Sequence, residues 1–267
     1  SSKNININRP VPFVGIGFRP KTKSWMGYFV FFIIIAVLEL GTRSGVITSL
    51  TLPRPSDVLA TMIELFESGL LFKHLVPSTI RLIVGAFIGI SVGITIGTLI
   101  GLFSYIRSGL VPVIAAIFPI PKIALLPLFV IWFGIGEGSK YALIALGSFT
   151  PTVVATYGAV DNVDRTLIRM AQSFGLSWIS IVYKIVLPGA MPGILSGLRI
   201  SLAIAIILLV AAEMLGAEYG IGAYILEAGS LYDLERLFAG VTILSVLGIT
   251  VNVLVTILEK KILKWRV

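Results

Sequence analysis

The chain has 267 residues, of which 57% are hydrophobic and 13% charged, with 21 Lys and Arg against 13 Asp and Glu, one His and no Cys. That is about half the charge of an ordinary soluble domain and too little polar surface to cover a core of this size. A soluble enzyme, a disordered chain, a disulfide scaffold, thiolate metal sites and Cys nucleophiles are therefore excluded.

Residues 1–24 are polar, punctuated by Pro10, Pro12 and Pro20, and carry Lys3, Arg9, Arg19, Lys21 and Lys23 with no acid, which reads as a cytoplasmic tail. From Trp25 to Leu40 the chain is apolar except for Glu39, a first membrane helix. A signal peptide is the weaker reading, because Gly41-Thr42-Arg43 is a poor cleavage site and the chain stays hydrophobic afterwards. Over 53–76, Pro53, Pro55, Ser56 and Asp57 make a helix start with Ser56 as N-cap. Leu59, Met62, Ile63, Leu65 and Phe66 follow at helical spacing, but Asp57, Glu64 and Glu67 make the stretch too charged to span. It predicts an amphipathic helix lying at the outer interface.

Apolar stretches at 78–103, 109–133, 139–160, 190–212 and 237–258 each supply the length that crosses a bilayer. The predicted fold class is an all-α polytopic membrane protein with about six transmembrane helices. One side then collects the tail together with Arg107, Arg165, Arg169, Lys184, Lys260, Lys261, Lys264 and Arg266. The other side has Arg43, Arg54, Lys73, Arg81, Lys140 and Arg236. The positive-inside rule puts both termini in the cytoplasm. The net charge of +8 is thereby explained by topology, and no nucleic-acid role is expected.

Within the second span Gly85, Gly89, Gly93, Gly97 and Gly101 recur every four residues. Small residues at that spacing admit a close helix partner, either inside the chain or in a second subunit. The third span contains Pro112, Pro119, Pro121 and Pro127, so it is expected to be broken and to face the protein interior. Lys122 lies between two of these prolines, and is either a functional intramembrane charge or a side chain that snorkels to the interface. Arg199 and Glu213 are further charges in or at the end of a span, each readable as a structural pair. The run Gly134-Ile135-Gly136-Glu137-Gly138 reads as a flexible outer connection, and His74 receives no role. There is no HExxH and no GxxxxGK[ST], so no catalytic or metal site is expected and the chain has no energy source of its own.

The polar interruption at 161–188 carries the decisive pattern. Leu167, Ile168, Ala171 and Phe174 fall at helical spacing, Gly175 suits a helix stop, and a second short helix from Ser177 to Val186 is expected to end at Pro188. An apolar knob beside a membrane implies a covering partner.

This segment resembles the cytoplasmic signature of the membrane subunits of bacterial ABC importers: Glu-Ala-Ala, three residues, Gly, nine residues, Ile-x-Leu-Pro. Here Ala171, Gly175 and Ile185-Val186-Leu187-Pro188 match that spacing, while Arg169 and Met170 stand where the family often has Glu and Ala. Pro121-Lys122-Ile123-Ala124-Leu125-Leu126-Pro127, Ile131-Trp132-Phe133-Gly134, Gly197-Leu198-Arg199-Ile200 and Ala211-Ala212-Glu213-Met214 are similar to the subfamily importing nitrate, sulfonates, taurine and bicarbonate. The likeness runs over roughly 50–265, within a transmembrane domain taken as 25–267.

The resemblance implies a permease subunit of an ATP-driven importer, working as a pair and forming the translocation pathway for a small, anionic solute delivered by an extracytoplasmic binding protein. Two ATPase subunits, carrying ATP and Mg, would grip Leu167, Ile168, Arg169, Met170, Ala171, Gln172, Phe174 and Gly175, backed by Ile185, Leu187 and Pro188. Lys122, Trp132, Arg199 and Glu213 are the expected pathway residues. The rival readings are an autonomous secondary transporter or channel, which suits broken helices and intramembrane charge, and an intramembrane enzyme, for which no nucleophile–base pair is found.

Overall fold

The computed structural model describes residues 24–264. The tail 1–23 and residues 265–267, with the charge of Arg266, lie outside the described residues. The chain divides into two compact units at Asp57/Val58.

In the first unit, α1 (Ser24–Arg43) is exposed along most of its length. Glu39 accepts from Arg43 Nε one turn on (2.6 Å), and from the backbone N–H (3.1 Å) and Oγ (2.9 Å) of Ser56. Ser56 is therefore not an N-cap. The helix α2 (Pro55–Glu67) opens one residue earlier on proline, whose missing N–H costs nothing in a first turn.

The second unit begins within α2, whose Leu65 packs on Tyr224 and Ala239. The expected 53–76 helix is two elements, because Gly69 takes φ 74° and separates α2 from α3 (Leu70–Leu102). Pro77 lies inside α3 and does not end it. At 33 residues, α3 is about 50 Å long, well beyond the ~30 Å apolar slab.

The centre of this unit is α6 (Glu137–Asp161), with α3 on one side and α9 (Leu187–Gly216) on another. All five glycines of α3 face α6. A methyl on Gly85, Gly93, Gly97 or Gly101 would lie 2.6–2.8 Å from the side chains of Ile144, Thr152, Thr156 and Val160 respectively. Gly89 meets the Ala145 carbonyl and Ser148 Oγ. Both partner series advance by four in the same direction, so α3 and α6 are parallel. Against α9 the order reverses: Gly147 meets Leu208, Ala155 meets Gly197 and Ala159 meets Gly193. Thr152 and Ser201 hydroxyls bond across that antiparallel pair at 2.7 Å.

The proline-rich span is broken into α4 (Ser104–Ile117), a 3₁₀ turn (Lys122–Leu125) and α5 (Leu126–Phe133), bent by 92°. Ile114 of α4 packs with Ile100 and Val153, while Leu126 and Phe129 of α5 pack with Leu143, Leu208 and Ala212. The two pieces together thus run back along α6 as one crossing in two segments. The expectation that they face the interior fails within this chain: Phe118–Pro121, Ile123 and Ile131–Phe133 are exposed. With this pair counted as one, the described residues hold six candidate spans.

After α6 come α7 (Arg165–Ser173) and α8 (Trp178–Ile181), then a wide π turn (Val182–Val186) that leads directly into α9. Pro188 therefore does not end a helix, as expected from sequence, but stands in the first turn of α9. Its missing N–H would leave the carbonyl four residues back unpaired, and the ladder shifts just before it, with Leu187 N–H donating to Val182 O. The result is one helical run from Trp178 to Gly216. Beyond it, α10 (Ile221–Ser230), which no sequence pattern announced, packs on α11 (Leu234–Ile262).

Candidate functional site

The knob at α7 is built by local rules. Asp164 caps it, accepting from Thr166 N–H at 2.8 Å. At the other end Gly175 takes φ 74°, with Gly175 N–H donating to Gln172 O (2.9 Å) and Leu176 N–H to Ala171 O (3.1 Å), a complete Schellman stop. Ala171 and Ile181 join Val160, Val163, Val186, Ala190 and Ile194 in one core, with Ile168, Leu176 and Ile185 packed against it. The knob is thus fixed to the end of α6 and the start of α9.

This packing divides the predicted contact residues. Leu167, Met170 and Phe174 point outward, 51%, 52% and 78% exposed, beside exposed Arg169, Gln172 and Gly175. Trp178, Ile179 and Tyr183 extend the apolar surface. Ala171 is buried, and Ile168, Ile185, Leu187 and Pro188 are half-buried in the chain's own fold. The correction concerns Ala171, which is spent on holding the knob and offers no surface to a partner, while Ile168 and Ile185 pack against the same core and keep part of their surface. Spacing alone merged two faces of one helix.

The opposite end of the bundle holds a charge network that sequence reasoning missed. Arg81 on α3 donates through Nε and Nη2 to Glu137 on α6 (2.6 and 2.7 Å), and through Nη1 to Glu213 on α9 (2.8 Å) and the Tyr219 carbonyl (2.6 Å). Glu213 also accepts from Ser78 Oγ (2.7 Å) and Gly222 N–H (2.9 Å), and its side chain has no exposure. Gly220 lets backbone wrap this carboxylate, since a Cβ there would fall within 3 Å of it, and a Cβ on Gly222 would meet the Val210 carbonyl (2.7 Å) and Glu213 Cβ (2.9 Å). His74 is buried there too, its Nδ1 2.9 Å from Gly220 O. The Gly134–Gly138 connection is pinned rather than flexible. Buried Lys140 donates to the Ile135 and Gly136 carbonyls (3.3 and 3.1 Å), and Glu137 is held by Arg81. The signal was available: Arg81 stands inside the apolar run that begins at residue 78.

The expected pathway residues are not brought together. Lys122 sits at the break between α4 and α5, where its ammonium donates to the carbonyls of Ile117 (3.3 Å) and Phe118. It closes the C-terminal end of α4, where Pro121 has no N–H to offer the Ile117 carbonyl and Ile120 N–H bonds it instead at 3.1 Å. Trp132 is exposed on α5, its ring 6.0 Å from that of Phe129. Arg199 bridges α9 to α11 through Asn252 Oδ1 (2.7 Å) and Glu259 (2.6 Å). Glu213 is far along the same helix from Arg199, by about 21 Å, inside the Arg81 network. None of the four is a free charge aimed into an open channel in this chain. Lys122→Met should lower stability by about 1 kcal/mol, by removing the donor to the Phe118 carbonyl while the Ile117 carbonyl keeps Ile120 N–H (3.1 Å), whereas Lys122→Arg keeps a donor. Thermal unfolding of the two variants in detergent measures the difference.

Residues 89–264 match the family model described as binding-protein-dependent transport system inner membrane component. The chain is 37% identical over 247 residues to the putative aliphatic sulfonates transport permease protein SsuC of Bacillus subtilis (strain 168), covering 92% of this chain and 90% of that protein. It is 35% identical to the taurine transport system permease protein TauC of Escherichia coli (strain K12), covering 86% and 84%. It is 33% identical to the riboflavin transport system permease protein RibX of Chloroflexus aurantiacus, covering 87% of each. Among solved structures, an inward-facing conformation of the MetNI methionine ABC transporter aligns with a TM-score of 0.63 at 20% identity, covering 72% of this chain and 96% of that one, a likeness of fold.

Proposed function

The chain belongs to the family of binding-protein-dependent transport system inner membrane components, and on that premise we propose that it couples ATP hydrolysis to import through the outward face of α7. It is a non-catalytic, multi-pass permease subunit of an ABC importer, and ATP is hydrolysed by a separate subunit. The autonomous-carrier reading is set aside by that membership.

The single observation that supports α7 as the docking surface is the exposed Leu167–Met170–Phe174 face on a helix locked to the core from behind. Two ATPase subunits, holding Mg-ATP, would seat these side chains in apolar grooves, one on each of two permease copies. The broken α4–α5 segment, exposed here, is the natural surface for the second copy to cover, because carbonyls freed by proline must be shielded from lipid. A push on α7 reaches α6 and α9 through their shared core, and α9 continues as one rod from Trp178 to Gly216. Closure of the ATPases would thus tilt a rigid lever whose far end carries Glu213 and the Arg81 network. Both termini would face the cytoplasm, and an extracytoplasmic binding protein would dock at the Glu213 end.

The solute proposed is a small sulfonate-type anion, supported by the names of the relatives at 35–37% identity. Intramembrane cations add no support, since Arg199 is paired and Lys122 caps a helix.

Phe174→Asp and Leu167→Asp place a carboxylate in the docking face without touching the core. Each should reduce capture of the co-expressed ATPase subunit at least about tenfold, the scale of a central interface residue, while the permease stays folded. Co-purification from membranes measures this, and undiminished capture by both variants overturns the docking assignment.

A further inference from the structure

The other face of α7 borders a cleft of about 340 Å³. Its lining carries Arg107, Asp161, Arg165, Arg169 and Gln172 together with apolar side chains including Leu102, Val160 and Val186. Arg165, Ile168, Arg169 and Gln172 recur at one-turn spacing, so this face of α7 is distinct from the Leu167–Met170–Phe174 face. Arg107 is paired with Asp161. Among the described residues no carboxylate pairs with Arg165 or Arg169, although like charges four apart destabilise a helix. The cleft lies where α3 and α6 end and α4 and α9 begin, the level at which apolar helices meet the headgroup layer.

We infer that this cleft seats the phosphate of an anionic phospholipid between Arg165 and Arg169, with its glycerol and upper acyl carbons against the apolar lining. Guanidinium groups match phosphate oxygens in geometry and charge, and basic clefts between membrane helices favour such headgroups. A free phosphate shares the anion chemistry but makes no use of the apolar lining. The inference rests on the reading of α7 as the cytoplasmic knob. It gives the knob two faces, one for the ATPase and one for the lipid.

The test titrates the purified full-length chain with short-chain phosphatidylglycerol, with phosphatidylcholine of the same chains and with inorganic phosphate, and reads binding by native mass spectrometry. Phosphatidylglycerol should bind in preference to phosphatidylcholine. R165Q/R169Q should weaken it about thirtyfold, the sum of two interfacial cations. K260Q/K261Q, on the end of α11, should leave it unchanged, and inorganic phosphate should not displace it. The single variant R169Q should give a partial loss, which separates a binding effect from misfolding. Equal binding of both lipids, insensitivity to the arginine variants, equal loss in the lysine control, or displacement by phosphate would each overturn the inference. Loss of ATPase capture by R165Q/R169Q with lipid binding intact would also overturn it, by returning the arginines to the docking face. Phe174→Asp distinguishes the two readings: it should lose the ATPase and keep the lipid.

Discussion

Glu213→Ala should be among the most damaging single substitutions in the chain. The carboxylate has no solvent exposure and accepts from Arg81 Nη1, Ser78 Oγ and Gly222 N–H. Removing one partner of a buried ion pair costs about 3–5 kcal/mol, because the remaining charge stays buried. Arg81 keeps its two bonds to Glu137 and one to the Tyr219 carbonyl, which places the expected loss near the lower end of that range. Glu137→Gln should cost less, since the Glu137 side chain is 46% exposed and glutamine keeps an amide oxygen that can accept from Arg81. The double variant Arg81→Met, Glu213→Leu should be milder than the sum of its single changes. Denaturation in detergent micelles, with the yield of folded protein in membranes alongside, gives the order. Equal stability of Glu213→Ala and the parent would mean the network holds nothing together.

Gly89→Leu should be comparably severe through a different force. Even a methyl on Gly89 would sit 2.2 Å from both the Ala145 carbonyl and Ser148 Oγ, so the backbone of α6 itself is the obstacle. Leucine must push α3 and α6 apart, and this parallel pair makes the most extensive helix contact in the chain. The cost is expected at or above the top of the ~1–3 kcal/mol range for overpacking, because neighbouring steps at Gly85 and Gly93 are also lost. Gly109→Ala is the control: nothing lies within 4 Å of its Cβ position, and alanine favours a helix. A melting temperature for Gly89→Leu equal to that of the control would contradict the close approach.

Much of this architecture was legible in the sequence, for identifiable reasons. Apolar runs at bilayer length mark membrane helices whatever their partners are, and prolines between Pro112 and Pro127 mark a break. The glycine stripe announced a close helix contact, but not its partner, because Ile144, Ser148, Thr152, Thr156 and Val160 are ordinary residues until α6 is laid beside α3. The Arg81–Glu137–Glu213 network joins residues 56 and 132 positions apart, and no local pattern encodes such a separation. Lys122 was visible as an intramembrane charge, yet the carbonyls it serves depend on which turn the prolines unwind. The motif at Ala171–Gly175 located the knob, while the division of α7 into a core-facing and an outward face required knowing where α6 ends and α9 begins.

The central claim is that the outward face of α7 meets the motor. The chain contains no native cysteine, so a single cysteine at Phe174 or at Leu231, exposed on the far end of the bundle, gives an unambiguous cross-linking site in the assembled importer. A short thiol-to-amine cross-linker should join the Phe174→Cys permease to the ATPase subunit and leave the Leu231→Cys permease unjoined to it. Capture of the ATPase from Leu231→Cys, with none from Phe174→Cys, would contradict the account.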